Sequence, residues 1–521
     1  MTIKRNLLLS GLFLLASQAP TWGWESLDPA TRGLVKPAVG LAARSQADAV
    51  LKYETTHFAV FYSKTGVHAI AGAGVDKNSN SVPDAVEDIG NELERIWRLA
   101  IDTLGYPVPV PAKRELGYGV DVPTGKYPIA VGDMATFVST WGTSGVYGFC
   151  TEPGQDTTTP DGMEVVVEND FVNSSTGKAF QVKVSPLNSA NKIDSVLYDY
   201  SLRPDLGWRV TLSHEFFHSL QKYYDKGFYY AFHEMSAVWF STRAYPEIHA
   251  EWQYLQKFIG IVKMPAFSYW ENEEYAEFPM VSALVNAFGD GIVKTLWENR
   301  TMMVVNGKLI DEMTWMHNVL LKQKLDEVAF NFEFANEVSC LYLNLKCSDR
   351  YYAGFKTSSS PVGTVRLDTV ETGNSNGYTS GGTFQVDMYK GNTNVIRNGW
   401  NFKITYEASS SSAVAIVIRM PSQAMERIRP VGAPYVFNLN PGDTAIYAAI
   451  SPGFDNSELT YLYLGSTKTP VSTGIHSRHA LRPTAALRMD LQGRPVRDGV
   501  KGIVLEYTPE RGWARRVNVG K

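Results

Sequence analysis

The sequence has few cysteines and no long run of charge of one sign. Three cysteines occur in 521 residues, and they are too scattered to form a structural zinc site. Cys340 and Cys347 are close enough in sequence to form a small disulfide loop in an oxidising compartment, or to remain two buried thiols. Cys150 has no cysteine near it in sequence. The 53 acidic and 49 basic residues give a net charge of −4, which argues against nucleic acid as the main partner.

Long apolar segments are also missing beyond the N-terminus. The apolar stretch Leu7–Ala16 is too short to span a bilayer, and it follows the basic residues Lys4 and Arg5. This pattern predicts a secretory signal peptide over residues 1–23. No later segment predicts a transmembrane helix, so we expect a secreted or cell-surface protein.

The most informative stretch reads His-Glu-Phe-Phe-His over residues 214–218 and lies in an apolar segment with helical spacing. No Pro or Gly interrupts residues 208–225, which predicts a helix over this range. His214 and His218 would then lie on one face of the helix, where both imidazoles can bind one Zn²⁺. Glu215 would lie beside the metal and can act as general base on a water. The alternative is a buried structural helix with two polar histidines.

A catalytic zinc site needs a third protein ligand and one open position. A second apolar segment over residues 228–244 contains His233 and Glu234. We predict Glu234 as the third zinc ligand, from a helix that follows the first. His233 is expected to orient a ligand or the substrate from close by. Candidate donors to the oxyanion of a tetrahedral intermediate are Tyr275, His233 and His249.

The pattern His-Glu-x-x-His followed by Glu234-x-x-Ala237 resembles the gluzincin metallopeptidases. Its longer form, with Gln221 three residues after His218, resembles a group of exported bacterial metallopeptidase-like proteins. Fifteen residues separate His218 from Glu234, fewer than in the best-known gluzincins. The resemblance implies a gluzincin-like catalytic domain with a mixed sheet and helices, here over residues 50–350. It also implies hydrolysis of peptide bonds in a protein or peptide substrate.

Strand patterns precede the zinc motif, and helical patterns follow it. Residues 55–62, 127–131 and 163–168 have the composition or alternation of strands. By analogy with gluzincins, we expect the segment 163–168 at the edge of the cleft, where a peptide can add as a further strand. Apolar spacing predicts further helices over residues 248–262, 278–297, 309–321 and 327–343.

The segment Asp76–Glu87 has the ligand pattern of a calcium loop, with oxygen-bearing side chains at positions 1, 3, 5, 9 and 12. Position 7 offers a backbone carbonyl. The predicted ligands are Asp76, Asn78, Asn80, Val82, Asp84 and Glu87. The pattern resembles the loops of dockerin and thrombospondin type 3 repeats, although Ser81 replaces the usual Gly at position 6. We therefore expect structural Ca²⁺ as well as catalytic Zn²⁺. The alternative is a solvated turn before a helix over residues 84–104.

The composition changes around residue 350. A Ser-rich stretch at residues 357–361 predicts a linker, and short alternating strands predict an all-β sandwich over residues 360–468. This domain would bind a surface polysaccharide or only support the enzyme. Residues 480–521 form a short C-terminal β tail that resembles the sorting tails of the type IX secretion pathway. An Asp-x-x-Gly-Arg-x-Val turn at residues 490–496 carries that match. The alternative is one more β-hairpin of the sandwich.

These features together predict an α+β protein that acts as a secreted zinc metalloendopeptidase. The rival hypothesis is a cell-surface binding or adhesion protein with a degenerate peptidase domain. The intact Glu215 argues against the rival, because a binding protein has no need of a general base.

Overall fold

The computed structural model describes most of the chain between residues 49 and 518. The described residues are 49–115, 117–137, 146–151, 162–184, 195–224, 231–261, 274–305, 308–310, 312–343 and 345, with strands and adjoining residues between 363 and 518. The chain divides into two compact units, Met1–Lys468 and Thr469–Lys521. The secondary structure is mixed α and β, as predicted. No helix among these residues has the length and apolar character needed to cross a membrane. The predicted signal peptide and the linker at 357–361 lie outside the described residues.

A mixed five-stranded sheet begins the first unit, in the order β1-β2-β3-β5-β4. The strands are β1 Leu51–Glu54, β2 Phe58–Tyr62, β3 Tyr127–Val131, β4 Gly148–Cys150 and β5 Val165–Val167. Strands β2, β3 and β5 run parallel, whereas β1 and β4 pair antiparallel at the two edges. Every residue of β2, β3 and β5 is buried, as expected for parallel strands that are covered on both faces.

Helix α1, Asp84–Trp97, lies in the connection between β2 and β3. It is amphipathic, and its buried apolar residues recur at helical spacing. These residues are Val86, Ile89, Leu93 and Ile96. A π-helical segment, Arg98–Thr103, continues it, so the helix predicted over residues 84–104 changes its winding near its end.

Two central helices carry the predicted zinc ligands. After a one-turn helix α2, Met134–Phe137, the long helices are α3, Pro204–Tyr224, and α4, Ala231–Ala244. Helix α3 packs against β4, β5, α1 and α4. Both long helices are buried on most of their surface, because sheet and helices enclose them.

The remaining helices of the first unit follow in sequence. They are α5 Trp252–Ile261, α6 Phe278–Phe288, α7 Gly291–Glu298, α8 Glu312–Lys322 and α9 Glu327–Leu343, with 3-10 helices at Glu274–Glu277 and Arg300–Met303. The single helix predicted over residues 278–297 is two helices. Gly289, with φ of 85°, ends α6, because this backbone conformation cannot continue an α-helix.

Three short two-stranded pairs accompany these helices. They are β6 Val172–Asn173 with β7 Lys178–Ala179, β8 Gln181–Val184 with β9 Ser195–Asp199, and β10 Val304–Val305 with β11 Lys308–Leu309.

Two larger sheets follow, in the orders β12-β14-β19-β16-β17 and β13-β20-β15-β18. Their strands are β12 Gly363–Val365, β13 Asn376–Ser380, β14 Asp387–Gly391, β15 Asn401–Glu407, β16 Val414–Met420, β17 Ala424–Ile428, β18 Tyr435–Asn438, β19 Ala445–Ser451 and β20 Thr460–Thr467. Helix α9 packs on β16 and β19. Apolar side chains of β16, such as Ile416, therefore join the same hydrophobic core as the helices.

The second unit contains a three-stranded antiparallel sheet. Its strands are β21 Leu487–Met489, β22 Gly502–Thr508 and β23 Gly512–Asn518. The turn at residues 490–496, which carries the resemblance to sorting tails, lies outside the described residues.

Cys340 and Cys150 differ in whether they form a disulfide bond. Cys340 of α9 is disulfide-bonded. Cys150 of β4 is buried and forms no disulfide. Cys347, the predicted partner of Cys340, lies outside the described residues.

Candidate metal centre

Helices α3 and α4 bring the three predicted zinc ligands together. His214 and His218 lie one turn apart on α3, and Glu234 lies in the first turn of α4. The Nε2 atoms of the two histidines are 3.1 Å apart, and they lie 3.0 and 3.4 Å from Oε2 of Glu234. Within the part of the chain that the structure describes, no other three His, Cys, Asp or Glu side chains place their ligand atoms within 4.8 Å of one another. The connection of fifteen residues is therefore long enough to bring Glu234 to the histidines.

The donor set and its spacing fit a zinc ion. A tetrahedral Zn²⁺ with bonds of about 2.0–2.1 Å holds its ligand atoms roughly 3.4 Å apart. The separations of 3.0–3.4 Å between the three ligand atoms are close to that value. Two imidazoles and a carboxylate are a known set for a catalytic zinc with one open position. The side chains are 11%, 11% and 3% exposed, so the centre is shielded but not sealed.

Burial and charge set the protonation of this cluster. Burial raises the pKa of Glu234, but the neighbouring histidines outweigh burial and hold that pKa well below its ordinary value. Burial lowers the pKa of His218, whereas Glu234 and Glu215 raise it, and the net pKa of His218 lies above its ordinary value. The anionic Glu234 is electrostatically suited to a cation, and a metal ion that binds here must displace any proton from Nε2 of His218.

Glu215 lies next to His214 in the sequence of α3 and is 9% exposed. Burial raises its pKa, and the charges of His218 and His214 only partly oppose that shift. Gly148 of the edge strand β4 lies against this side chain. A Cβ atom at Gly148 would stand 3.2 Å from Cγ of Glu215 and 2.6 Å from Cγ2 of Thr211. Strand β4 therefore runs across α3 beside the candidate base.

The segment 163–168, expected at the edge of the cleft, does not lie at the edge of the sheet. The segment 163–168 contains β5, which pairs with β3 on one side and β4 on the other. That expectation is wrong because β4, which comes earlier in the chain, folds back antiparallel onto the outer side of β5. The Lys222 ammonium of α3 donates to the carbonyls of Cys150 and Thr151, over 2.7 and 3.2 Å. The helix with the candidate ligands thus holds the edge strand with one of its own side chains.

Tyr275, in the 3-10 helix before α6, lies at the centre. Its ring stacks on that of His214, with centroids 5.6 Å apart and planes at 11°. Burial, the charge of Glu234 and a hydrogen bond to Glu234 raise the pKa of Tyr275 well above its ordinary value. The hydroxyl therefore stays protonated and is a donor. Tyr254 of α5 stacks on Tyr275 at 5.5 Å. No sequence signal singled out Tyr254, because it lies within an ordinary helical pattern.

The other two histidines named as oxyanion donors are placed differently. The ring of His233 is outside the group of converging ligand atoms and packs edge-on against Trp297 at 4.7 Å. Burial lowers the pKa of His233 to about 3, so the ring is neutral. His249 lies in the loop between α4 and α5 and stacks on Trp252 at 4.5 Å.

Gln221 contacts both helices of the centre. Its Oε1 lies 2.7 Å from Nδ1 of His218, and its Nε2 donates to the carbonyl oxygen of His233 over 2.9 Å. The sequence shows Gln221 as part of a family pattern, but the pattern alone indicates no role for it.

The predicted calcium loop forms a compact turn before α1. The carboxylate of Asp76 accepts the backbone N–H groups of Asn80 and Ser81, over 3.1 and 2.8 Å. The carboxylate of Glu87 accepts the side-chain amides of Asn78 and Asn80, over 2.9 and 2.6 Å. Ser81 has φ of 72°, which is the left-handed conformation that Gly adopts readily at this position.

Two predicted calcium ligands have other contacts. Asp84 accepts from the backbone N–H of Lys77 over 2.9 Å and pairs with its ammonium at 3.0 Å. These bonds hold the pKa of Asp84 below its ordinary value. The N–H of Val82 donates to Oδ1 of Asn80 over 2.8 Å. The loop therefore gathers the side chains at positions 1, 3, 5 and 12, while Asp84 is engaged by Lys77.

Comparison of the chain with protein-family models finds no match, and comparison with curated proteins finds none either.

Proposed function

We propose that this protein is a secreted zinc-dependent metalloendopeptidase with a gluzincin-like catalytic domain over residues 50–350. One observation carries the proposal. Nε2 of His214, Nε2 of His218 and Oε2 of Glu234 converge within 3.0–3.4 Å of one another, next to the buried carboxyl group of Glu215. This combination offers a three-ligand zinc set together with a general base.

The residues around the centre have separate chemical tasks. A Zn²⁺ held by His214, His218 and Glu234 would supply Lewis acidity toward a peptide carbonyl and a water. Glu215 accepts the proton of the attacking water and then passes it to the leaving amine. The raised pKa of Glu215 brings it nearer to that of an effective general base. The protonated Tyr275 hydroxyl donates its single proton to Glu234, and it would serve the developing oxyanion by turning that proton away from the carboxylate.

The edge of the first sheet supports a peptide as the substrate. The order β1-β2-β3-β5-β4 leaves the outer side of β4 without a strand partner among the described residues. An extended peptide can pair with such an edge through main-chain hydrogen bonds. Because Gly148 of β4 lies against Glu215, a peptide on this edge would pass close to the base.

The proposal extends to the rest of the chain. The strands β12–β20 form a β-sandwich that supports the enzyme or binds a surface polysaccharide, and residues 480–521 form a type IX sorting tail. Support for export is the basic and apolar pattern within residues 1–23 and the motif at 490–496. Support for a structural Ca²⁺ is the gathering of Asp76 and Glu87 with the two asparagines of the loop.

Metal analysis of the purified chain tests the proposal. We expect one zinc per chain, lost in His218→Ala and retained in His317→Ala, since His317 lies in α8 and pairs with Glu327. Circular dichroism would show that both variants fold. A wild-type protein without stoichiometric zinc would favour the rival hypothesis of a binding protein with a degenerate peptidase domain.

A further inference from the structure

We propose that Gln221 is a positioning residue that presents the Nε2 lone pair of His218 to the metal centre and ties that ring to the helix of Glu234. The inference rests on the proposed function, because it concerns the same metal site. Gln221 is fully buried between α3 and α4. A glutamine loses side-chain freedom and hydration when it is buried, and its hydrogen bonds must offset that cost.

The hydrogen bonds of Gln221 permit one orientation of its amide. Nε2 lies 2.9 Å from the carbonyl oxygen of His233 and 3.0 Å from Oγ of Ser236. A backbone carbonyl can only accept, so the amide nitrogen faces it and Oε1 faces His218. Oε1 has no proton to donate, and it lies 2.7 Å from Nδ1 of His218. Nδ1 therefore carries the proton.

The position of this proton decides which ring nitrogen can bind a metal. In a neutral imidazole one nitrogen donates and the other has the lone pair. With the proton on Nδ1 of His218, the lone pair is on Nε2. Nε2 is the atom that lies 3.1 Å from Nε2 of His214 and 3.4 Å from Oε2 of Glu234. Gln221 thus selects the tautomer that the centre requires.

The same amide also fixes the second helix. The carbonyl of His233 accepts a hydrogen bond from Gln221, and His233 directly precedes Glu234. Ser236, the second partner of the amide nitrogen, lies two residues after Glu234. Ser236 Oγ in turn donates to the carbonyl of Phe232. Gln221 therefore fixes the position of the His218 ring relative to the helical turn that carries Glu234.

The bonding of Gln221 also distinguishes this role from simple packing. Its oxygen and both amide hydrogens have partners in His218, His233 and Ser236. An apolar side chain of similar volume would fill the same space, but it would leave Nδ1–H of His218 and the carbonyl of His233 without this partner. The lost acceptor for Nδ1–H is the contact that orients the ring.

Zinc affinity of the full chain, measured with zinc alone by competition with a chelator, tests this inference. Gln221→Met removes the acceptor at nearly constant size, and we expect zinc affinity to fall about 10–100-fold. Gln221→Glu keeps an oxygen for Nδ1–H but loses both amide donors to His233 and Ser236, so we expect a smaller loss of affinity than in Gln221→Met. Ser219→Ala is the matched control. It removes a buried hydroxyl that donates to the carbonyl of Phe216 on the same helix, and zinc affinity should not change.

A spectroscopic measurement separates orientation from stability. The visible absorption of the Co²⁺ form should change in Gln221→Met and stay unchanged in Gln221→Glu and Ser219→Ala, because it reports the ligand field alone. If Gln221→Met does not fold, the Co²⁺ absorption of Gln221→Glu decides, because this variant keeps the oxygen that faces Nδ1–H of His218: an unchanged spectrum supports the role of that oxygen in orienting the ring, and a changed spectrum overturns it. Wild-type affinity in a folded Gln221→Met would overturn the inference and leave the proposed peptidase standing. A wild-type chain that binds no zinc would overturn both.

Discussion

Gly148 in the edge strand β4 faces the side chain of Glu215 in α3 with little room for a side chain of its own. A Cβ atom added to Gly148 would stand 3.2 Å from Cγ of Glu215, 2.6 Å from Cγ2 of Thr211 and 2.8 Å from the carbonyl oxygen of Val166. The last of these atoms belongs to the backbone of β5 and cannot move aside. The candidate base and the proposed peptide-binding edge are therefore at a spacing that only glycine permits.

Gly148→Ala should lower activity by disturbing this contact. The added methyl group must push β4 away from α3 or turn the carboxyl group of Glu215, and overpacking of this kind costs about 1–3 kcal/mol. We expect kcat to fall by up to about 10²-fold, as for a catalytic group displaced by about 1 Å. Gly291→Ala is the control, because no atom lies within 4 Å of its added Cβ. Wild-type kcat in a folded Gly148→Ala would show that the contact is irrelevant to catalysis.

Glu215→Gln tests the general base directly. The amide has nearly the shape of the carboxyl group but cannot accept the proton of the attacking water. We expect hydrolysis of a casein substrate to fall by about 10²–10⁴-fold. Zinc content should stay at the wild-type level, because Glu215 is not among the three converging ligand atoms. Hydrolysis at the wild-type rate would exclude the proposed role of Glu215.

Apolar segments that are bounded by turn residues could be predicted from the sequence. Helix α9 and strand β3 have the predicted bounds, because Asp326 and Asn344 flank the first and Gly132 follows the second. Strand β17 could not be predicted, since its first four residues are exposed and no alternation marks it. The break between α6 and α7 at Gly289 depends on a positive φ, which helical spacing does not reveal.

Some features of the candidate site could likewise be predicted from the sequence, and others could not. His214 and His218 could be paired from sequence, because a spacing of four residues places them on one helical face whatever the tertiary structure. The contacts of Gly148 and Gln221 join residues of different elements. Local patterns carry no information about which element will face them, so these contacts became visible only in the folded chain.

Glu168, directly after β5, should make stability depend on pH. Burial, and to a lesser degree the charges of Asp133 and Asp170, raise its pKa from 4.5 to about 9. The folded state therefore keeps a proton that the unfolded state releases, and stability falls as pH rises between these two values. The slope is about 1.4 kcal/mol per pH unit for one group. Glu168→Gln should flatten this dependence.

Melting temperatures between pH 6 and pH 8.5 measure the Glu168 effect. The wild-type protein should lose stability over this range, and Glu168→Gln should lose less. Glu247→Gln changes an exposed carboxyl group and should follow the wild type. Equal slopes for the wild type and Glu168→Gln would show that Glu168 is charged in the folded protein.

Asp76→Ala tests calcium binding separately from zinc. An ion that binds only the folded state stabilises it by about 2.7 kcal/mol at a hundredfold excess over Kd. Calcium added to metal-stripped protein should therefore raise the melting temperature. Asp76→Ala should abolish that rise, because Asp76 holds the loop through Asn80 and Ser81 and offers its first ligand. Asp102→Ala, an exposed change in the π-helical segment, should keep it. A rise that persists in Asp76→Ala would place the calcium elsewhere.

Removal of residues 469–521 tests the role of the C-terminal tail. The first compact unit of the chain ends at Lys468, and strands β21, β22 and β23 of the second unit pair with one another. Strand β20 keeps its pairing with both β13 and β15 when the tail is absent, so the truncation bares no new edge on that strand. We therefore expect the truncated chain to keep its melting temperature, its zinc and its hydrolysis, yet to stay inside its native host. Aggregation of the truncated chain would show that the tail completes the β-sandwich. Normal export of a soluble truncated chain would show that the tail is not a sorting signal.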